Sequence, residues 1–265
     1  MFRGNYNFFD YKYNIVGYTG QDFGSIAQYL YLIISIILLI VLLIVLRKTK
    51  KDRVLNVIRW ISLFMIFFYI AKTTWESIYD IKMSGSFNTY LLPLDSCSMV
   101  MFASLLAGFS KEKLKSLSES WICTGGIVGG IATMVLLNAL NYYPFFSFGA
   151  FYSMIWHFLM VFLGCLLIVT NYVELNYKLV LKGFLFHCLF SLIVIPIDFI
   201  YNLDFMMYRN LGSIPFFENV ASKFTFLGLQ FLNPIMMLLL YFIAFNVIFL
   251  VAVLIKRVMK KWKCE

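Results

Sequence analysis

Several ionisable or polar side chains lie inside long apolar stretches of this sequence. They are Lys72, Glu76, Asp95, Cys97, His157 and Asp198. Ionisable groups at membrane depth are costly, so such residues suggest a function by default. Together they could bind a small solute or ion between helices. The structural alternatives are an i,i+4 ion pair, hydrogen bonds that join helices, and a cysteine that packs as a small hydrophobe.

The composition places these residues in a membrane protein. The 265 residues are 62% hydrophobic and only 13% charged, and the mean hydropathy is +0.85. A soluble domain is about half apolar and a quarter charged, and could not bury this surplus in one core. The net charge of +9 fits basic loops that contact anionic lipid head groups. We find no nucleic-acid motif and expect no nucleic-acid partner.

Hydropathy predicts an all-α bundle that crosses the bilayer seven times. The predicted spans are 26–46, 54–81, 90–109, 119–137, 148–171, 179–202 and 226–254. Each run approaches the length that ~30 Å of hydrocarbon requires. Residues 1–25 are predicted to form an extracytoplasmic interfacial arm, 26–255 the transmembrane domain and 256–265 a basic cytoplasmic tail. An outer loop is expected at about 203–225.

The distribution of lysine and arginine predicts the orientation. Basic residues concentrate in alternate loops and in the tail, at 47–53, 111–115, 178–182 and 256–263, and are sparse on the opposite side. The positive-inside rule therefore places the N-terminus outside and the C-terminus in the cytoplasm. The predicted location is the cell membrane.

With this topology, the polar residues share one layer in the outer half of the membrane. Asp95 and Cys97 follow the outer start of span three, and His157 lies deeper in span five. Asp198 and Asn233 lie near outer helix ends, as do Lys72 and Glu76. His187 and Cys188 are expected deeper toward the cytoplasm, outside this layer.

Cofactor and metal sites have little support in the sequence. The five cysteines form no CxxC pair, and the two histidines lie at different predicted depths. We therefore expect no cofactor, no metal site and no disulfide framework. The pairs Gly125–Gly129 and Gly126–Gly130 favour close helix packing within the chain over a dimer interface.

One stretch resembles a known family. The run Leu92-Pro93-Leu94-Asp95-Ser96-Cys97 is similar to the Leu-Pro-x-x-x-Cys signature of the YwaF-like integral membrane proteins. His157 stands where that family carries a histidine. The segment 198–215, with Asn202 and Tyr208, resembles the run that ends the family's sixth span.

The resemblance implies an activity. The family includes a vertebrate enzyme that transfers polyunsaturated acyl chains onto ether lysophospholipids, and its cysteine and histidine are proposed to be catalytic. Those roles would pass to Cys97 as nucleophile and His157 as base. Asp198 or Asp95 would orient the imidazole. Lys72 or Arg209 would meet the lipid phosphate, with Glu76, Asn202, Tyr208 and Asn233 as further substrate-binding residues.

The sequence also departs from the family pattern. Relatives tend to carry a histidine where this chain has Asp95, and another where it has Gln28. These differences point to altered chemistry or to binding without turnover. Three classes of function stay open: a lipid acyltransferase, a solute- or lipid-binding or transport protein, and a non-catalytic membrane scaffold. Membrane lipids are the expected partners.

Overall fold

The computed structural model describes residues 6–11, 26–136, 143–144, 146–210, 223 and 232–261. Several predictions lie partly outside these residues. They are the interfacial arm except 6–11, most of the outer loop after residue 210, the first part of span seven and the last four residues of the tail.

All regular structure within the described residues is helical, which confirms the predicted all-α class. The helices are α1 (Ile26–Leu46), α2 (Lys51–Ser84), α3 (Met99–Phe109), α4 (Glu112–Trp121), α5 (Ile127–Leu136), α6 (Phe148–Val169), α7 (Tyr177–Tyr201) and α8 (Asn233–Lys261). A short 3-10 turn covers Thr89–Leu91, and a π-helical turn, Ile122–Gly126, joins α4 to α5.

Five helices of the described chain are long and apolar enough to cross a bilayer. They are Gln28–Leu46, Lys51–Ser84, Phe148–Val169, Tyr177–Tyr201 and Asn233–Arg257. Their outer faces carry large exposed apolar side chains, such as Trp60 at 73% and Val45 at 69% exposed. Such faces suit hydrocarbon, which is as apolar as the side chains. The membrane assignment is therefore confirmed, whereas the count of seven spans and the orientation stay predictions.

The third predicted span is not one continuous helix. After the turn Thr89–Leu91 the chain runs without helix to Ser98, and α3 has only 11 residues. At ~1.5 Å per residue α3 is about 16 Å long, roughly half a bilayer core. Pro93 explains the break, because proline lacks an N–H and disfavours helical backbone in the residue before it. Leu92 is indeed extended, with φ −68° and ψ 143°.

The fourth predicted span begins earlier than expected. Helical structure starts at Glu112 rather than 119 and continues through the π turn to Leu136. The added first turns are polar. The apolar stretch used for the prediction is therefore only the apolar part of a longer helical segment, and it does not show where the helix begins.

Hydrogen bonds join several helix ends. Arg59 Nε, near the start of α2, donates to the Gly108 carbonyl near the end of α3 at 2.8 Å. Lys256 Nζ, near the end of α8, donates at 2.7 Å to Asn171 Oδ1, just after α6. The Phe148 N–H at the start of α6 donates to the Phe8 carbonyl at 2.7 Å. The start of α2 therefore lies beside the end of α3, and the ends of α6 and α8 lie together.

Candidate functional site

The non-helical segment 92–98 carries Asp95 and Cys97 and is held from three sides. The Tyr69 hydroxyl of α2 donates to the Leu91 carbonyl at 2.5 Å. The Trp156 indole N–H of α6 donates to the Cys97 carbonyl at 3.2 Å. The Cys97 sulfur lies 3.7 Å from Thr133 Oγ1 of α5. The segment is thus fixed between three helices while its own backbone stays irregular.

The Cys97 thiol has a defined hydrogen-bond role. The Thr133 hydroxyl already donates to the Gly129 carbonyl at 2.9 Å. Its oxygen is therefore left to accept, so the Cys97 S–H is the donor in the 3.7 Å contact. As a residue, Cys97 is half-buried.

Lys72 and Glu76 lie beside this segment. Lys72 Nζ is 2.5 Å from Glu76 Oε2 and 5.5 Å from the centre of the Tyr152 ring. Tyr152 stacks on Trp156 at 5.3 Å between ring centres. The Asp95 carboxylate interacts electrostatically with Lys72. We name this group the Cys97 cluster and define it by its members, Lys72, Glu76, Asp95, Cys97, Tyr152 and Trp156.

The predicted base, His157, is buried on the same helix but bonds to its own turn. Its Nδ1 lies 2.7 Å from the Ser153 carbonyl and 3.3 Å from the Ser153 hydroxyl. A carbonyl can only accept, so Nδ1 carries the proton and Nε2 keeps the basic lone pair. Among the described residues, no hydrogen bond joins His157 to Cys97.

Asp198 supports a loop rather than an imidazole in this structure. It is fully buried near the end of α7, and its two oxygens accept the Phe205 N–H at 3.1 and 3.2 Å. It also interacts electrostatically with Asp95. Asp198 was predicted to orient the imidazole, but among the described residues no hydrogen bond joins it to His157.

The loop after α7 holds Arg209 tightly. Its guanidinium donates to the Leu203 carbonyl at 3.1 Å and to the Asn202 side chain. Asn233 donates to the Arg209 carbonyl at 2.7 Å. Asp204 accepts the Arg209 N–H at 3.0 Å, and burial raises the pKa of the Asp204 carboxyl above its ordinary value. The hydrogen bonds of Arg209, Asn202 and Asn233 thus stabilise this loop. A lipid phosphate would have to compete with the loop for the Arg209 guanidinium.

Sequence reasoning missed a second polar network. Tyr208 is fully buried, and its hydroxyl bonds to Ser191 at 2.5 Å and to His187 Nε2 at 3.3 Å. The Trp121 indole donates to His187 Nδ1 at 3.4 Å. Tyr241 packs on the His187 ring at 4.1 Å between centres. Trp121, Tyr208 and Tyr241 therefore surround the His187 ring.

The sequence could have revealed only part of this network. His187 and Ser191 are four residues apart and share a helix face. That spacing could have marked them as a pair. Nothing local predicts that Tyr208, in a loop, turns inward to meet them.

Among the described residues, no three His, Cys, Asp or Glu side chains converge as metal ligands. An open apolar groove of about 310 Å³ between α7 and α8 is lined by Phe184, Ile235, Leu238, Leu239 and Phe242. It shares no residue with the Cys97 cluster.

An all-helical chain with bilayer-length helices and buried ionisable residues defines an integral membrane protein. The chain belongs to the TMEM164 family, whose family model matches residues 23–256. This match confirms that the chain belongs to a family of membrane proteins, while the resemblance to the YwaF-like proteins stays a prediction. No curated protein and no solved structure gives a significant match.

Proposed function

We propose that this chain transfers acyl chains between membrane lipids, with Cys97 as the nucleophile. The observation that carries the proposal is the position of Cys97. Cys97 lies on irregular backbone two residues after Asp95, and its thiol donates to Thr133 Oγ1 at 3.7 Å. Non-helical backbone at membrane depth is tolerated where it is enclosed by protein or lines a cavity. The resemblance to cysteine-dependent acyl transfer points to the same residue.

The proposed reaction has two balanced steps. The Cys97 sulfur attacks the carbonyl carbon of a phospholipid ester, a C–S bond forms and the C–O ester bond breaks. The thiol proton passes to His157 and from there to the departing lysophospholipid alcohol. In the second step the hydroxyl of an acceptor lysophospholipid gives its proton to His157 and attacks the thioester carbonyl, a C–O bond forms and the C–S bond breaks. His157 then returns the proton to the Cys97 sulfur.

His157 supports the base role through its tautomer. Because Nδ1 is held by the Ser153 carbonyl at 2.7 Å, Nε2 is the nitrogen that can take a proton. Catalytic hydrogen bonds often tighten only when substrate is bound. We therefore propose that lipid binding brings Cys97 and His157 together, with Asp95 as the nearer of the two aspartates to the thiol.

The charged members of the site would hold the lipid. Lys72 is the cation of the Cys97 cluster and would bind the phosphate. Glu76 would position the Lys72 ammonium group, from which its Oε2 lies 2.5 Å away. Arg209, Asn202, Tyr208 and Asn233 would shape the outer side of the site. The partners would be lipids of the cell membrane, with anionic head groups at the basic loops.

A trapped acyl-enzyme tests the proposal. Purified protein is mixed with phospholipid that carries a radiolabelled acyl chain and is quenched in acid. We expect label on the protein that neutral hydroxylamine removes, because hydroxylamine cleaves thioesters. The label should be absent from Cys97→Ala and present in Cys165→Ala, whose half-buried thiol lies outside the Cys97 cluster. Label that persists in Cys97→Ala would reject Cys97 as the nucleophile.

A second candidate function is binding or transport of a small solute or lipid. The observation that favours it is the Lys72–Glu76 pair, with side chains only 22% and 9% exposed, beside Asp95. A pair of this kind could bind a solute without any role for the thiol. If transport is the activity, uptake into proteoliposomes should be lost in Lys72→Met and retained in Cys97→Ala. The acyltransferase proposal instead predicts that Cys97→Ala is the inactive variant.

A further inference from the structure

Asp80, outside the Cys97 cluster, has a buried carboxylate oxygen without a partner. The residue is 8% exposed, and its Oδ1 accepts the Tyr11 hydroxyl at 2.6 Å. Its Oδ2 is buried and accepts no hydrogen bond. In the part of the chain that the structure describes, no lysine or arginine lies within ion-pair distance of Asp80. A buried carboxylate that lacks a counter-ion is costly.

The ring of Tyr11, which bonds to this carboxylate, belongs to a group of packed aromatic rings. Tyr11 stacks on Tyr79 at 5.3 Å between ring centres and meets the edge of Trp75 at 5.7 Å. Tyr143 lies 6.3 Å from Tyr11 and 5.7 Å from Trp75. We call these four residues the aromatic corner. The Trp75 and Tyr79 rings are half-exposed, so the corner can be reached from outside the protein.

The neighbouring carboxylate on the same helix, in contrast, has a cation. Glu76 lies one helical turn before Asp80 and is paired with Lys72 at 2.5 Å. Its other oxygen accepts the Tyr143 hydroxyl at 3.1 Å. Both oxygens of Glu76 therefore have partners, whereas Asp80 Oδ2 has none among the described residues.

We propose that Asp80 and the aromatic corner bind an organic ammonium ion, either a free amine or the head group of a membrane lipid. Aromatic faces attract quaternary and N-methylated ammonium groups, and the free Oδ2 supplies the matching charge. A metal ion is a poorer match, because it would need several oxygen ligands and this corner offers one free carboxylate oxygen. This site stands whether or not Cys97 catalyses acyl transfer.

Entry of the ligand requires a local movement. Tyr11 covers Asp80 and belongs to the segment 6–11. That segment is tied to the bundle by the Trp75 indole, which donates to the Phe9 carbonyl at 3.1 Å, and by the Phe148 N–H, which donates to the Phe8 carbonyl at 2.7 Å. A small displacement of the Tyr11 side chain would open Oδ2 while these backbone contacts hold the segment in place.

Lys12, the residue after Tyr11 in the sequence, is a rival counter-ion. If the Lys12 ammonium group neutralised Asp80, an added ammonium ligand would have to displace it. The variant Lys12→Ala separates the two cases. Under our proposal this variant binds the ligand as well as the wild type or better.

Equilibrium dialysis of the purified full chain with radiolabelled choline, in a maltoside detergent, tests the site. We expect saturable binding with one choline per chain. Affinity should fall at least about tenfold in Asp80→Asn and in Tyr79→Leu, and recover in Tyr79→Phe, which keeps the ring. The matched control is Glu119→Gln, because Glu119 Oε1 also lacks a hydrogen bond but lies 3.8 Å from Lys115 Nζ. It should bind choline normally.

Two further experiments show whether the positive charge of the ligand is required and whether the ligand is a free amine or a lipid head group. The uncharged isostere 3,3-dimethylbutan-1-ol should not compete with choline, since the charge is required. If the ligand is a lipid head group, the wild type in nanodiscs should immobilise spin-labelled phosphatidylcholine more strongly than spin-labelled phosphatidylglycerol. Asp80→Asn should show no such preference. Choline binding without this lipid preference assigns the site to a free amine. Failure of both ligands to bind, or equal binding by wild type and Asp80→Asn, overturns the proposal.

Discussion

Acyl transfer is expected to fall below detection in Cys97→Ser and by roughly 10²–10⁴-fold in His157→Ala. A serine hydroxyl at position 97 would be a far weaker nucleophile than a thiolate. Loss of the imidazole removes the acceptor for the thiol proton. The measurement is the initial rate at which purified protein in nanodiscs moves a labelled acyl chain from phospholipid to lysophospholipid.

Matched variants separate catalysis from folding. Ser153→Ala removes the hydroxyl 3.3 Å from His157 but keeps the carbonyl that holds Nδ1, so its rate should stay within about tenfold of wild type. Residues that act as a unit are non-additive, so any residual rate of His157→Ala should depend on Cys97, and the double variant Cys97→Ser/His157→Ala should show no detectable transfer. Normal transfer in both single variants, with melting temperatures equal to wild type, would reject the mechanism.

The sequence could place the candidate residues at one level but not orient them. Lys72 and Glu76 were predictable as a pair because four-residue spacing brings two side chains to one helix face, and they are paired at 2.5 Å. The rotation of α6 was not predictable. The Trp156 indole N–H donates to the Cys97 carbonyl. The next residue, His157, points about 100° further round the helix. Tertiary packing sets that angle.

Hydropathy was most informative where the physical constraint was strongest. Bilayer-length helices must satisfy every backbone hydrogen bond internally, so five apolar runs match helices closely. In the third predicted span an average over many residues concealed the break at Pro93. Proline was a visible signal there, but the apolar residues on both sides outweighed it. The inward turn of Tyr208 had no comparable local signal.

The small residues were predicted to pack helices within the chain, and the described contacts agree. A Cβ on Gly130 would lie 2.9 Å from the His157 carbonyl of α6, and one on Gly183 would lie 2.9 Å from the Ser120 carbonyl of α4. Glycine lets these backbones approach closely. The same helix, α6, carries Trp156 and His157, so its distance from α5 matters for the Cys97 cluster.

Gly164→Ala is expected to lower the free energy of unfolding by about 3 kcal/mol. A Cβ at this position would lie 2.4 Å from Ile127 Cγ1 and 2.6 Å from the Ile122 carbonyl oxygen. The second atom belongs to the backbone of the π turn, so a change of side-chain rotamer cannot relieve the overlap. Titration with SDS, followed by tryptophan fluorescence, measures the change in unfolding free energy.

Gly126→Ala is the matched control, because the same methyl group is added one helix away, within the π turn itself. Its nearest new neighbour would be the Met160 carbonyl oxygen at 3.7 Å, an ordinary contact, so the unfolding free energy should change by less than about 1 kcal/mol. Equal losses in the two variants would mean that added volume anywhere in this contact is costly. A loss confined to Gly164→Ala means that the close approach of α6 to the π turn stabilises the bundle, and α6 also carries Trp156, which donates to the Cys97 carbonyl. Acyl transfer should then fall together with stability in that variant alone.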